Sequence, residues 1–485
     1  MPINILSSCS ETKSFEQAPG SPWSSTGCFI SRHPVMTGAV FFLFFWVYRS
    51  QYYSGDGDQL SRMIESREPA VWLVQTELAS QAVFKLVYQL LFPWGWDGLS
   101  VMNLVSSAAG AISVYVLLKF SLFFVSADPL WTLLLFFSSG LALFCNGHTE
   151  YYTLFLMTLF YYGYAGVGYL RGRFSMLHAS LAFSAALWMH LGILFALPSL
   201  LILPWLKGQP RDFGPLMRGQ IPTLIAYIVK RFDSLLKITV LGLSPQSNFV
   251  PLVLEPDGAQ FYGMFEWGHL ADILYAWIMR SWIFWPAIFW SIAAFGFSSL
   301  RQPARLFLLA YTLCFTVFTL VWHPNLGMGQ DWDLFAIEAA PCLLLLLTYL
   351  PVFLDSSFRW TALAVAASAS MLIVYSSYLA EARFYQRGYG GVELKPSKAV
   401  VNNFTLNGHK KDLTIPAIRE GVYIAKFINN DESRVHDFCI AVVPGQTTEI
   451  SLAIGPNQGR GSIVPKSAAS PDGGAESISP NDNTP

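Results

Sequence analysis

The sequence predicts an all-α polytopic membrane protein with about eleven transmembrane helices and a small C-terminal β-rich domain. Two observations lead to this fold class. Hydrophobic residues make up 53% of the 485 residues, charged residues only 13%, and the mean hydropathy is +0.42. Soluble domains contain about 25% charged residues. The apolar residues are also concentrated in runs of roughly 17–25, the length that crosses a ~30 Å hydrocarbon core.

Eleven apolar segments are the predicted spans. They cover 34–49, 99–120, 129–146, 150–170, 174–189, 191–206, 221–243, 277–298, 304–322, 334–354 and 359–380. The break at His190-Leu191-Gly192 favours two short spans over one long kinked helix at 174–206. Four charged residues interrupt 221–243, so this segment could lie partly in the membrane interface.

Lysine and arginine predict the orientation, because cytoplasmic loops of membrane proteins carry more of them. With a cytoplasmic N-terminus, the inner loops and their edges contain Lys119, Arg171, Arg173, Lys207, Arg211, Arg218, Arg301, Arg305 and Arg359. The C-terminus is then extracytoplasmic. The predicted domains are a disordered cytoplasmic tail over 1–33, a transmembrane domain over 34–380 with its first outward loop at 50–98, an extracytoplasmic β-rich domain over 381–460, and a disordered tail over 461–485.

Two smaller elements complete the predicted organisation. Polar residues recur every four positions in 70–92 opposite an apolar side, which predicts an interfacial helix that steers a lipid-linked substrate or merely connects two spans. Strand-like runs at 412–416, 421–429, 438–443 and 448–454, separated by Gly, Pro and Asn, predict the β-rich domain.

Composition excludes other classes. The net charge is −1, which gives no electrostatic basis for binding nucleic acid. The six cysteines show no CxxC or other paired spacing, so they fix no redox compartment. There is no Walker loop, GxGxxG or GxSxG pattern.

Two carboxylates follow the first span in the segment Gly55-Asp56-Gly57-Asp58. Asp58 precedes a predicted helix over 59–65 and could be its N-cap. Asp56 could be a turn residue between glycines. Beside the membrane, where it loses part of its hydration, it could instead be a general base. Both are candidate catalytic residues, and which of them is the base stays open.

Further polar residues fall on the same predicted outer side and are candidates for substrate binding. His148 and Glu150 could be solvated turn residues, bind substrate hydroxyls or ligate a divalent metal ion, although His-x-Glu alone is a weak metal motif. Asp331-Trp332-Asp333 opens a span, where an aspartate could cap the helix. The same segment suits sugar recognition, since an indole covers the apolar face of a sugar while carboxylates accept its hydroxyl protons.

Three more candidates lie at the ends of predicted spans. His190 lies where two short spans meet and could be a packing residue or a phosphate ligand. Arg280 could extend to the lipid headgroups or pair with a lipid phosphate. His323 belongs to the outward polar segment His323-Pro324-Asn325.

The joint placement of these motifs resembles the GT-C glycosyltransferase class, which includes the protein O-mannosyltransferases and the 4-amino-arabinose lipid A transferases. The resemblance covers roughly 34–380. Gly55-Asp56-Gly57-Asp58-Gln59-Leu60 is similar to the first-loop acidic motif of that class, although a glycine separates two acids that are adjacent in many members. Asn325 to Phe335 is similar to a segment of bacterial membrane proteins of this class. His190 and Gly192 occupy the place of a Lys-Gly pair in relatives.

The resemblance implies an enzyme that transfers a sugar from a polyprenyl-phosphate or polyprenyl-diphosphate donor to a lipid, glycan or protein acceptor at the extracytoplasmic face. Asp56 would deprotonate or orient the acceptor hydroxyl, and attack at the anomeric carbon would invert its configuration. Arg280 or His190 would compensate the charge of the leaving phosphate. A bacterial inner membrane is expected in preference to an endoplasmic reticulum.

Two other functions remain as alternatives. A polysaccharide polymerase or ligase would also use a polyprenyl-linked sugar, but such enzymes rely on arginine and histidine in a large late loop. A secondary transporter would place functional groups near the bilayer midplane, commonly with internal repeats and broken helices. The outward acids of the first loop favour the transferase. The sugar, the acceptor and any metal dependence do not follow from the sequence.

Overall fold

The chain divides into two compact units, Met1–Ser377 and Tyr378–Pro485. The computed structural model describes residues 33–49, 57–66, 78–125, 129–147, 149, 151–221, 250, 264–322, 332–350 and 357–386, and eight strands between 390 and 463. The predicted tail over 1–33, except its last residue, and the predicted span 221–243, except its first residue, lie outside the described residues.

The first unit is helical. Its helices, with the last continuing past its boundary, are α1 (Pro34–Val47), α2 (Gly57–Glu65), α3 (Leu78–Leu91), α4 (Gly98–Phe120), α5 (Pro129–Phe137), α6 (Leu141–Cys145), α7 (Tyr152–Leu170), α8 (Met176–Met189), α9 (Leu197–Leu201), α10 (Leu203–Leu206), α11 (Trp267–Ser281), α12 (Phe284–Phe295), α13 (Pro303–Val321), α14 (Trp332–Ala336), α15 (Ala339–Leu347) and α16 (Ser357–Gln386). A π-helical turn, Ser121–Val125, extends α4. The 3₁₀ turns are Phe92–Trp94, Leu191–Ala196, Pro210–Asp212 and Phe297–Arg301, and a helical stretch covers 213–221.

Several helices turn large apolar side chains outward. On α1 the exposed fractions of Val35, Leu43 and Val47 are 84%, 57% and 68%, and Phe289 and Leu372 are exposed to 62% and 70% on later helices. In the described part of the chain, two helices are long and apolar enough to cross a membrane, Gly98–Val125 and Pro303–Val321. Exposed apolar surface of this extent suits contact with lipid. The count of eleven spans and their orientation remain predictions.

Two of the predicted spans are interrupted. Segment 277–298 is divided between α11 and α12, and segment 334–354 between α14 and α15. Each second helix carries a proline at its third residue, Pro286 and Pro341. Proline lacks an N–H, and its ring clashes with the carbonyl four residues earlier. The helices therefore break just before these prolines, which a reading of hydropathy alone does not show.

The predicted span 129–146 is also interrupted, between α5 and α6. Ser138 and Ser139 donate their hydroxyls to the carbonyl oxygens of Leu135 and Phe136, at 2.8 and 2.7 Å. Such local bonds compete with helical hydrogen bonding. The predicted break at His190-Leu191-Gly192 is observed, since α8 ends at Met189 and a 3₁₀ turn follows.

Helices α2, α3, α4 and α7 share one hydrophobic core. Its fully buried members include Phe84 of α3 and Val101 and Met102 of α4, with Leu60 of α2 at 3% exposure and Leu154 of α7 at 6%. This core holds α2 and α3 against α4 and α7, so it fixes the start of α2, where the first acidic motif lies.

The second unit contains eight strands: β1 (Gly390–Pro396), β2 (Asn403–Leu406), β3 (His409–Lys410), β4 (Thr414–Ile418), β5 (Gly421–Ile428), β6 (Val435–Val442), β7 (Thr447–Leu452) and β8 (Ser462–Ile463). They form two sheets, ordered β4-β1-β7-β8 and β3-β2-β5-β6. The β1–β7 pair is parallel and the other pairs are antiparallel.

Four of these strands overlap the runs predicted from sequence, and both predicted boundaries of the β-rich region shift. Helix α16 continues to Gln386, past the predicted start at 381. Strand β8 lies inside the predicted disordered tail, where Ile463 pairs with Ile450 of β7 and so extends a sheet. Residues 464–485 lie outside the described residues.

Candidate functional site

The first acidic motif lies at the start of α2. This helix begins at Gly57, so Asp58 falls within its first turn and not before it as an N-cap would. Asp56 lies outside the described residues, as does the side chain of Asp58. The backbone nevertheless fixes where the motif is.

Gly57 lies directly against Thr149. A Cβ added at Gly57 would overlap the Thr149 hydroxyl and lie 2.8 Å from Thr149 Cβ and 2.9 Å from the Thr149 carbonyl oxygen. Only a glycine permits so close an approach. Thr149 stands between the predicted site residues His148 and Glu150, which are themselves outside the described residues. Gly57 and Thr149, one residue from each of the first two predicted clusters, are therefore in contact.

The turn before Thr149 packs against two further helices. Gly147 has φ +74°, and a Cβ there would lie 2.9 Å from Arg49 Cβ and 3.1 Å from Asn103 Cγ. Asn103 is 4% exposed on α4, and Arg49 follows the end of α1. The side chains of Arg49 and Asn103 thus meet the backbone of this turn.

Arg49, whose Cβ contacts this turn, carries a positive charge that lies against α1. Its guanidinium lies 4.2 Å from the centre of the Trp46 ring, and Nη1 donates to the Trp46 carbonyl oxygen at 2.7 Å. Trp96 in turn stacks on Trp46, with ring centroids 6.0 Å apart. A guanidinium carries five N–H donors. Arg49 is therefore a candidate anion ligand at the end of α1.

Lys85 and Glu65 hold the other end of α2. Lys85 Nζ donates to the carbonyl oxygens of Ile64 and Ser66, where the helix ends and leaves carbonyls without helical partners. Glu65 Oε1 accepts from the Gly98 N–H at 2.7 Å, at the start of α4. Burial lowers the pKa of Lys85 from its ordinary value, while the Glu65 carboxylate acts in the opposite direction. Both contacts fix α2 and the motif at its start.

Replacing Lys85 by methionine is expected to lower the free energy of unfolding by about 1–3 kcal/mol, because two carbonyls lose their donor inside the protein. A thermal melt of the purified protein in detergent measures the change. The control is Gln89→Met on the same helix, since Gln89 is exposed and such changes stay within about 0.5 kcal/mol. Equal melting temperatures for the two variants would contradict the anchoring role.

Helix α3 turns its polar side inward. Gln81 and Lys85 are 6% and 5% exposed, whereas Leu86 and Leu90 are 58% and 61% exposed. Gln81 Nε2 donates to the Tyr151 hydroxyl at 3.3 Å. The exposed leucines fit a position in lipid or at its interface. Glu77, predicted for the same polar face, lies outside the described residues.

His190 joins this first group of residues. Its ring is 6% exposed and lies near Tyr152 and Phe155, with centroids 5.5 and 4.9 Å away. Nδ1 accepts from the Gly192 N–H at 2.9 Å, so in the neutral ring the proton is on Nε2. His190 therefore has a structural role as the cap of the 3₁₀ turn that follows α8.

A second group forms around Glu338, at the break between α14 and α15. Glu338 is 2% exposed. Its carboxylate accepts hydrogen bonds from Trp277, Trp285, Thr316 and Thr319. An aromatic path connects the two groups, from His190 through Phe155 to Phe315 on α13, whose ring lies 6.5 Å from that of Phe155.

Three of the remaining predicted site residues belong to helices near Glu338. Arg280 is in the last turn of α11, and Trp332 and Asp333 begin α14, but their side chains are outside the described part of the chain. Asp331 and His323 are outside it altogether. Among the described residues no cluster of three His, Cys, Asp or Glu could hold a metal ion.

Sequence reasoning missed three residues of these groups: Arg49, Lys85 and Glu338. A signal existed for two of them. Arg49 is a basic residue at the predicted outer end of a span, where such residues are scarce. Glu338 is an acid inside an apolar segment. Placing an ionisable side chain in a membrane costs free energy, so such residues commonly have a function. The inward direction of Lys85 carries no such signal, because periodicity does not tell which face of a helix is buried.

The apolar helices and their outward-facing apolar side chains support membrane localisation. No protein-family model matches the sequence, and no curated protein matches it either. Among solved structures, the chain is similar to ArnT from Cupriavidus metallidurans bound to undecaprenyl phosphate, with a TM-score of 0.42 and 12% identity, over 74% of this chain and 73% of that chain. A functional assignment for this protein therefore rests on its own residues.

Proposed function

We propose that this protein is an integral-membrane glycosyltransferase that moves a sugar from a polyprenyl-phosphate-linked donor to an acceptor at the extracytoplasmic face. The observation that carries the proposal is the approach of Gly57 to Thr149. It supports a single site that contains both the acids of the first loop and the His148–Glu150 turn. Separate, distant positions for these two motifs would have argued for two solvated turns.

In the proposed reaction, Asp56 accepts the proton of the acceptor hydroxyl while the hydroxyl oxygen attacks the anomeric carbon. The new C–O bond forms as the bond between that carbon and the phosphate oxygen breaks, and its electron pair leaves with the polyprenyl phosphate. The configuration inverts. Asp58 is the second candidate for the base, since one residue separates the two acids.

The leaving phosphate needs positive charge or N–H donors. Arg49 supports this role, since its Cβ lies next to Gly147, the residue before His148, and its guanidinium is held by Trp46 of α1. His190 or Arg280 of α11 is proposed to compensate the charge of the leaving phosphate. A charge-assisted hydrogen bond to phosphate is about twice as strong as a neutral one. Such stabilisation, together with orientation, must supply most of the rate increase.

Sugar recognition is assigned to Asp331, Trp332, Asp333 and His323, and hydroxyl binding or a divalent metal ion to His148 and Glu150. Helix α3 supports access from the lipid. Its exposed Leu86 and Leu90 would contact acyl chains while its buried polar face holds α2 in place. A polyprenyl chain could then lie along α3 with its phosphate at the site.

The test is an assay of the purified protein in detergent with a panel of radiolabelled polyprenyl-phosphate and polyprenyl-diphosphate sugars, each combined with lipid, glycan and protein acceptors. We expect release of polyprenyl phosphate, or diphosphate, that depends on the protein. Folded protein that cleaves none of the donors would sink the proposal. Turnover of diphosphate donors alone, with growing glycan chains, would favour a polymerase or ligase.

A secondary transporter is the second candidate, and Glu338 favours it, because buried carboxylates at helix breaks occur in ion-coupled transporters. The detergent assay separates the two functions. A transporter needs two compartments and breaks no glycosidic bond, whereas the transferase works without compartments. Donor cleavage in detergent would therefore exclude transport as the explanation of the site.

A further inference from the structure

We infer that Glu338 is the positioning residue of the sugar- and phosphate-binding half of the site: its carboxylate connects α11, α12 and α13 to the junction between α14 and α15. The inference rests on the proposed function. It concerns a residue that touches no reacting atom but holds α11 near α14, the helices that contain Arg280, Trp332 and Asp333.

The break before Pro341 frees Glu338 for this role. Glu338 stands at the N-cap of α15, yet its side chain makes no capping hydrogen bond to that helix. An acid at a helix N-terminus commonly bonds the first backbone N–H groups. Here the carboxylate contacts other helices instead, so capping of its own helix does not explain its position.

Four neutral donors surround the carboxylate. Oε1 accepts from Trp285 Nε1 at 3.2 Å and from Thr316 Oγ1 at 2.8 Å. Oε2 accepts from Trp277 Nε1 at 3.1 Å and from Thr319 Oγ1 at 2.7 Å. In the part of the chain that the structure describes, no cation pairs with it. Burying a carboxylate is costly unless hydrogen bonds satisfy it, and here two donors reach each oxygen.

The two threonines favour the carboxylate over their own helix. Thr316 Oγ1 is 3.2 Å from the Thr312 carbonyl oxygen, and Thr319 Oγ1 is 3.1 Å from that of Phe315. A hydroxyl has one hydrogen to donate, and the contacts to Glu338 are shorter. Because the threonines are three residues apart, they lie on the same face of α13.

The donors come from the helices that carry the predicted site. Trp277 lies three residues before Arg280 on α11, and α11 also packs against α14. Thr319 lies near the end of α13, which leads to His323. Glu338 itself follows Asp333 by five residues. One carboxylate therefore sets the spacing of three segments, and misplacement by about 1 Å can cost a factor of about 10² in rate.

The test combines Glu338→Gln with two matched arginine variants, Arg280→Lys and Arg49→Lys. Glu338→Gln keeps the shape but replaces one acceptor oxygen by an NH₂ group that an indole cannot bond. We expect kcat for donor cleavage to fall about tenfold. Glu338 is inferred to act through Arg280. The fold-loss of kcat in the double variant Glu338→Gln/Arg280→Lys should therefore be smaller than the product of the two single fold-losses. In Glu338→Gln/Arg49→Lys it should equal that product.

A second pair of variants tests the hydrogen bonds between Glu338 and the two tryptophans. Either Trp277→Phe or Trp285→Phe should restore part of the activity of Glu338→Gln, because it removes the indole that faces the NH₂ group. Trp290→Phe is the matched control, since Trp290 is 57% exposed on α12. An unchanged kcat in Glu338→Gln, or equal coupling to both arginines, would overturn the inference.

Amide hydrogen exchange separates this inference from the proposed function. In Glu338→Gln we expect faster exchange in 267–281 and 332–338 and no change in 98–120. If the wild type cleaves no donor, the proposed function fails. The exchange results would still support the inference that Glu338 holds these helices together. Unchanged exchange in both segments would overturn the inference whatever the activity.

Discussion

Replacing Asp56 by asparagine is expected to lower the rate of sugar transfer by about 10²–10⁴-fold, the contribution of a positioned general base. The amide keeps the size of the carboxylate but cannot accept the hydroxyl proton. The measurement is kcat for donor cleavage in detergent. Asp58→Asn should have the smaller effect, because Asp58 falls within α2. The reverse order would make Asp58 the base.

The control for this variant is Asp212→Asn. Asp212 accepts a hydrogen bond from the Tyr169 hydroxyl at 2.6 Å, and an asparagine oxygen can accept it as well. It lies in a 3₁₀ turn on the predicted cytoplasmic side. Activity and melting temperature should both stay near the wild-type values. If Asp56→Asn were folded and equally active, Asp56 would not be the base.

Replacing Gly57 by alanine is expected to abolish most activity and to lower the melting temperature. The added Cβ would overlap Thr149, and two of the three nearest atoms belong to its side chain and one to its backbone. Overpacking of this kind costs about 1–3 kcal/mol, and the α2 start must move away from the His148–Glu150 turn. The melting temperature and kcat are measured together.

Gly38→Ala is the matched control, because nothing lies within 4 Å of the position of its Cβ. Alanine is favoured over glycine in a helix by about 1 kcal/mol, so this variant should be as stable as the wild type or more stable. The variant Gly57→Ala/Thr149→Gly removes the side-chain overlap and should recover part of the stability. Full activity of Gly57→Ala would show that the two motifs need not be adjacent.

Features that depend on local chemistry could be predicted from the sequence. The break at His190 follows from the His-Leu-Gly segment, and the apolar runs indicate the helices. The breaks before Pro286 and Pro341 were equally visible, since proline stops a helix for a local reason. They were missed because a search for apolar runs averages over them.

Features that depend on contacts distant in sequence could not be predicted. Nothing near Gly57 indicates that its neighbour is Thr149, and nothing near Lys85 indicates that its ammonium group reaches the end of α2. The surroundings of Glu338 require three other helices. The sequence shows an acid in an apolar segment, and only the fold supplies the four donors that satisfy it.

The helix break before Pro286 also bears on how the chain enters a membrane during synthesis. Helix α12 has 12 residues, about 18 Å at 1.5 Å per residue, which is shorter than the ~30 Å hydrocarbon core. By its length alone α12 does not cross this core, so we expect α11 and α12 to enter lipid as a pair.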